Sequence, residues 1–86
     1  MLLFLALLAA PIQLDLRVGG SVAICATGTI QCPATVPICD DTSVVTAEET
    51  SEGLVFKALG PGTTLCSAAS QSGMGQRQVY RMVVKR

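Results

Sequence analysis

The sequence predicts a small all-β sandwich, and three observations favour this class. The chain has 86 residues, enough for one domain. Beyond Pro11, apolar and polar residues alternate in short stretches with the period of a strand rather than of a helix. Turns rich in Gly and Pro separate these stretches at nearly regular spacing, which is typical of a sandwich with Greek-key connections.

The N-terminal segment differs from the remainder of the chain. Residues 1–10 form an uncharged apolar run, MLLFLALLAA. A membrane-spanning helix needs about 20 such residues, so we expect no stable membrane span. The run has the length of the hydrophobic part of a signal peptide, and we interpret it in this way, with residues 11–86 as the folded domain. The alternative is an apolar strand that the mature protein retains and that a partner must cover.

The first half of the domain predicts two strands and a connection. Residues 12–18 form the first strand, with Ile12, Leu14, Leu16 and Val18 on one face. Gly19-Gly20 supplies a turn in which a positive φ costs little. Residues 21–27 form the second strand, with Val22, Ile24 and Ala26 facing inward. Two prolines within residues 28–37 indicate a long connection or an edge strand.

The second half predicts five more strands, which brings the total to about seven. A short strand closes at Ile38-Cys39, and others follow at residues 44–47, 54–59, 63–69 and 78–85. Gly60-Pro61-Gly62 is the strongest turn signal. In the last strand one face is apolar and the other is mixed, because Tyr80, Met82 and Val84 alternate with Arg81, Val83 and Lys85.

Four segments carry a family resemblance: LRVGGSVAI at 16–24, DTSVV at 41–45, GLVFKALGPGTT at 53–64 and YRMVV at 80–84. In order and spacing they resemble the bacterial Ig-like domain, group 2, over about residues 14–86. The resemblance implies an Ig-like Greek-key β-sandwich that serves as an extracellular or periplasmic, non-catalytic module. The chain departs from the family pattern because it has no Trp near Pro37 or Ile38 and because it has four cysteines.

The four cysteines indicate two disulfides and a compartment outside the reducing cytosol. The chain contains no Trp, and a core of this size seldom supplies more than about 3–5 kcal/mol. We therefore expect disulfides to help hold the two layers of sheet together. The direction of the strands favours Cys39–Cys66 with Cys25–Cys32. The alternative is Cys25–Cys66, the inter-sheet position of antibody domains, with Cys32–Cys39.

The residue types present argue against catalysis and against cofactors. The chain has no His, so it lacks the commonest general base and metal ligand. Six, six and twenty-six residues separate successive cysteines, which does not fit a tetrahedral zinc site. The acidic residues do not have the spacing of a calcium loop; they are Asp40, Asp41, Glu48, Glu49 and Glu52. We expect neither an enzyme nor a metal protein.

Arg77, Arg81 and Lys85 recur every four residues in the last strand and are the candidate partner-binding residues. One interpretation is that charges on an edge strand prevent sheets from aggregating. The other is that these cations attract an anionic partner, either a protein or a cell-surface glycan. No nucleic acid is expected, because no aromatic residue shares a strand face with these cations and the net charge is zero.

Two functions follow as predictions. The first is a secreted, periplasmic or cell-surface module that binds a protein or a glycan, with the sandwich as scaffold for adhesion. The alternative is a structural subunit of an extracellular assembly or filament. That subunit would self-associate through the retained apolar N-terminal strand.

Overall fold

Two sheets of short strands make up the protein. The computed structural model describes residues 11–30, 32–51, 53–70 and 77–86, so the proposed signal segment at 1–10 lies outside it. The described residues contain seven strands, which confirms the predicted all-β class. The strands are β1 (Ile12–Arg17), β2 (Ser21–Ala23), β3 (Ala34–Cys39), β4 (Val45–Thr50), β5 (Gly53–Ala58), β6 (Gly62–Ser70) and β7 (Arg77–Lys85).

The strand order is that of a small sandwich. One sheet has the order β1-β7-β6-β3 and the other has the order β2-β5-β4. All paired neighbours are antiparallel except β1 and β7, which are parallel. Apart from β1, which lies beside the last strand, this is the order of a constant-type immunoglobulin sandwich. From β4 onward, strand ends differ from the predicted ones by at most three residues.

The core lies between the two sheets, because alternate residues of each strand point inward. β5 contributes Leu54 and Phe56, and β7 contributes Tyr80, Met82 and Val84, all of them buried. Phe56 and Tyr80 meet across the two sheets with their ring centroids 6.2 Å apart. These two rings form the aromatic centre of a core that has no Trp.

β1 is one residue shorter than predicted. Val18, expected on its inward face, lies in the following turn and is 41% exposed. Gly19 has a φ of 92°, and the Gly20 N–H donates to the carbonyl of Arg17 at 2.8 Å. This turn ends the alternation before it reaches Val18.

β2 is shorter still, because a 3-10 helix at Ile24–Thr27 replaces the predicted second half of the strand. The Thr27 hydroxyl donates to the carbonyl of Ile24 at 2.7 Å and thereby closes the helical turn. Ile24 stays buried, whereas Ala26 is exposed, contrary to the prediction that it faces inward. A local bond between side chain and backbone thus overrides the strand period.

A chain of hydroxyl groups ties this 3-10 helix to the core. The hydroxyls of Thr27 and Thr29 lie 2.6 Å apart, and the Thr29 hydroxyl lies 2.8 Å from the phenol oxygen of Tyr80. Burial raises the pKa of Tyr80, and the hydrogen bond with Thr29 partly offsets this effect. The connection that crosses from one sheet to the other is therefore anchored to a fully buried aromatic side chain.

β3 is an edge strand, which is one of the two outcomes that its prolines predicted. Its register against β6 shifts between Thr35 and Ile38. Within this bulge Val36 has a φ of 49°, a strained conformation for a β-branched residue. Pro37 and the bulge make this edge a poor template for an added strand.

The disulfides join Cys39 to Cys66 and Cys25 to Cys32, the first of the two pairings considered from the sequence. Cys39 and Cys66 are direct partners on β3 and β6, so their bond fixes the register of an edge strand. Cys25–Cys32 connects the 3-10 helix to the segment before β3. Neither bond joins a strand of one sheet to a strand of the other. Cys25–Cys32 nevertheless lies in the connection from β2 of one sheet to β3 of the other, and the expectation that disulfides help to hold the two layers together stays a prediction.

We expect Tyr80 to ionise above pH 10, because burial raises its folded pKa above the ordinary value of 10.0. The folded state therefore binds the phenolic proton more tightly than the unfolded state does. This contribution to stability is complete below about pH 10 and is lost as the pH rises through the folded pKa. The chain has one Tyr and no Trp, so tyrosinate absorbance reports on this group alone. Ionisation near pH 10 with an unchanged far-ultraviolet spectrum would contradict the structure.

The two disulfides should differ in their effect on stability. Cys39–Cys66 spans 27 residues and Cys25–Cys32 spans 7. Loop-closure entropy then predicts losses of about 3.5 kcal/mol for C39A/C66A and about 2.5 kcal/mol for C25A/C32A. Urea unfolding of both double variants measures this difference. An unfolding midpoint that stays the same after verified reduction of both bonds would refute the stabilising role of the disulfides.

Candidate partner-binding face

The sheet that contains β7 has an outward surface, which we call the outer face. Residues of β7 with odd numbers point to it, because Tyr80, Met82 and Val84 point into the core. The cross-strand register places residues of the other three strands beside them. The outer face consists of Arg77, Val79, Arg81, Val83 and Lys85 of β7; Thr63, Leu65, Ser67 and Ala69 of β6; Gln13, Asp15 and Arg17 of β1; and Thr35 and Ile38 of β3.

The three predicted cations, Arg77, Arg81 and Lys85, all lie on this face and are exposed. β7 is not an edge strand, however, since it lies between β1 and β6. Arg81 pairs with Gln13 on one side and with Leu65 on the other. The interpretation that these charges protect an edge is therefore wrong for Arg81 and Lys85.

Arg77 has a structural role. Its Nη2 atom donates to the carbonyl of Val36 at 2.6 Å, and Nε and Nη2 donate to the Ser67 hydroxyl at 3.2 and 3.0 Å. The Val36 carbonyl belongs to the strained bulge of β3. Arg77 thus reaches across β6 to stabilise the edge strand, a contact that sequence reasoning did not identify.

Arg81 and Lys85 make no ion pair within the part of the chain that the structure describes. The salt bridge found there joins Lys57 to Glu48 at 2.5 Å on the other sheet. Lys85 lies directly opposite Arg17 on β1, and like charges in such a cross-strand pair repel each other. The outer face therefore carries a net positive charge, because Arg17, Arg77, Arg81 and Lys85 outnumber its one carboxylate, Asp15.

A shallow depression of about 200 Å³ opens beside these cations. Ile38 and Leu65, which are 53% and 40% exposed, line it together with Ser67 and Val79. Asp40 also contributes to its lining, on the β3 side. Exposed aliphatic side chains next to one another often mark an interaction site. The sequence contains a signal for it, since Leu65 occupies an outward position between Thr63 and Ser67.

The acidic residues do not form a metal site in the described structure. The Asp41 carboxylate accepts hydrogen bonds from the Ser43 hydroxyl at 2.6 Å and the Ser43 N–H at 3.0 Å, and these bonds lower the pKa of Asp41. Glu48 binds Lys57, and Glu52 lies outside the described residues. Within the described ranges, no group of three or more His, Cys, Asp or Glu could hold a metal.

Comparison with known proteins identifies no relative: no family model and no curated protein matches the chain. The resemblance to the bacterial Ig-like domain, group 2, therefore stays a prediction that rests on its motifs.

Among the described residues, no helix is long and apolar enough to cross a membrane. The two disulfides indicate a compartment that is not reducing.

The different roles of Arg77 and Arg81 can be tested by a matched pair of variants. Arg77→Met removes the bonds to Val36 and Ser67, and we expect it to lower the free energy of unfolding by about 1–2 kcal/mol. Arg81→Met removes no such bond and should change it by less than about 0.5 kcal/mol. Urea titrations give both values. Equal losses in the two variants would disprove the structural role of Arg77.

Proposed function

We propose that the protein is a non-catalytic Ig-like module, secreted, periplasmic or at the cell surface, that binds a partner through the outer face. One observation carries the proposal: exposed Leu65 and the unpaired cation Arg81 are direct neighbours in the interior of a sheet. Neither packing within the fold nor protection of an edge accounts for this pair. The disulfides and the strand order support the assignment to an extracytoplasmic sandwich.

The other surfaces are less suited to binding. On the outward surface of the second sheet, Lys57 is already paired with Glu48. The edge at β3 contains Pro37 and a bulge, which oppose the addition of a partner strand. The outer face combines a net positive charge with a depression lined by Ile38 and Leu65.

Burial of the depression would provide binding free energy. An aliphatic side chain that is fully removed from water contributes about 1.5–3 kcal/mol. Complete burial of Ile38 and Leu65 by a ligand is therefore the largest contribution that the depression can make to the free energy of binding. An anion near Lys85 would also relieve its repulsion from Arg17. The burial of the two aliphatic side chains and the relief of this repulsion both require a bound partner. Such contributions are typical of the central residues of a binding interface.

The alternative function, a structural subunit that packs through its N-terminal apolar strand, depends on residues 1–10. These residues lie outside the described structure, so this alternative stays a prediction.

The proposal can be tested by selecting ligands and mapping where they bind. A random peptide library and a glycan array are screened against the wild-type domain, and the selected ligands are then measured against R81E/L65S. We expect the selected ligands to lose most of their affinity for this variant. K57E, on the other sheet, has the same charge change as Arg81→Glu and serves as control. Ligands that bind R81E/L65S as well as wild type, or no ligands at all, would contradict the proposal.

A further inference from the structure

We infer that the partner of the outer face is an acidic protein segment that places an apolar side chain beside its carboxylate. This inference rests on the proposed function and specifies the chemistry of its partner. It follows from three features of the face: the depression, the unequal charges on its two sides, and the spacing of the cations along β7.

The depression selects an apolar group. Its volume of about 200 Å³ and its open shape suit a single side chain rather than a folded element. Ile38, opposite Ser67 on β3, and Leu65, two residues before Ser67 on β6, supply aliphatic surface. Because the lining is mostly aliphatic, an apolar side chain gains more there than a sugar hydroxyl, which would lose hydrogen bonds to water.

The charges on the two sides determine where a carboxylate can bind. Arg81 stands directly opposite Leu65 on the β7 side, where Cβ atoms of cross-strand partners are about 5 Å apart. Asp40 stands on the β3 side, and its N–H donates to the Leu65 carbonyl at 2.9 Å. A carboxylate of the partner is attracted toward Arg81 and repelled by Asp40, so the apolar group and the acid have a fixed order across the sheet.

The spacing along β7 indicates a ligand that extends beyond one residue. Lys85 lies four residues from Arg81 on the same face, which corresponds to about 13 Å along a strand. Lys85 and its neighbour Arg17 form a second cationic position there. Asp15 lies opposite Val83 between the two positions, so a segment with acidic side chains four residues apart would contact both cations, while an acid midway between them would be repelled.

A polyanionic glycan would use the same cations, but the face offers it less. The two aromatic side chains in the described structure, Phe56 and Tyr80, are buried in the core, so the face has no ring on which a sugar can stack. The aliphatic depression would contribute little to binding such a ligand. The observations therefore favour a protein segment, and a glycan is the alternative outcome of the test.

The test measures a short labelled peptide that repeats Leu-Gly-Glu-Gly, which puts leucine and glutamate on one face and successive glutamates four residues apart, with poly-L-glutamate and heparin as comparison ligands. We expect the peptide to bind more tightly than poly-L-glutamate by about tenfold, since only the peptide fills the depression. Arg81→Glu should weaken peptide binding by about tenfold or more, and Leu65→Ser by about fivefold. Asp40→Asn should strengthen it by about twofold, because a repelling charge is lost.

Misfolding of the variants would lower the peptide affinity of each of them. The expected increase in affinity with Asp40→Asn therefore distinguishes the inference from misfolding. The control K57E should bind the peptide as wild type does. If heparin binds more tightly, in a manner that depends on Arg81 but not on Leu65, the inference is overturned while the outer face remains the binding surface. If peptide binding is insensitive to both Arg81→Glu and Leu65→Ser, or if the peptide does not bind, the inference is also overturned. If binding is insensitive to both variants, the proposal that the protein binds through the outer face is contradicted as well.

Discussion

Burial of Tyr80 between the two sheets is the constraint on which the other features depend. Its ring meets Phe56 of the opposite sheet, and its hydroxyl is hydrogen-bonded to Thr29 of the crossing connection. Because residues of a strand alternate between faces, an inward Tyr80 requires an outward Arg81. The packing of the core and the composition of the outer face are therefore two consequences of one register along β7. A shift by one residue would bury a guanidinium and expose the aromatic centre.

A second group of interactions controls the edge strand β3. This strand contains a bulge and a strained Val36, so its ladder with β6 is interrupted. Cys39–Cys66 restores the register at one end, and Arg77 binds the bulge carbonyl near the other. The covalent bond and the charged hydrogen bond both act within a single sheet. The edge strand is thus held to its own sheet by a covalent bond and a charged hydrogen bond in addition to its interrupted ladder.

Much of this fold follows from local sequence patterns, and the exceptions have identifiable causes. The alternation around Tyr80 predicts β7 correctly, because packing and strand period agree there. β2 is shorter than its alternation predicts, since the bond from Thr27 to Ile24 favours a helical turn. The position of the cations on one face was predictable from their spacing. The contact of Arg77 with Val36 was not, because it depends on a bulge and on which strands are neighbours.

The same geometry bears on whether the outer face suits a second copy of the chain. In a symmetric dimer, residues near the twofold axis face their own counterparts. Arg81 lies on an inner strand of the four-stranded sheet, so a symmetric contact centred there would oppose two guanidinium groups. With no carboxylate paired to Arg81 in the described structure, that contact would bury like charges together. The central cation thus disfavours symmetric pairing of this face, which agrees with the acidic partner proposed for it.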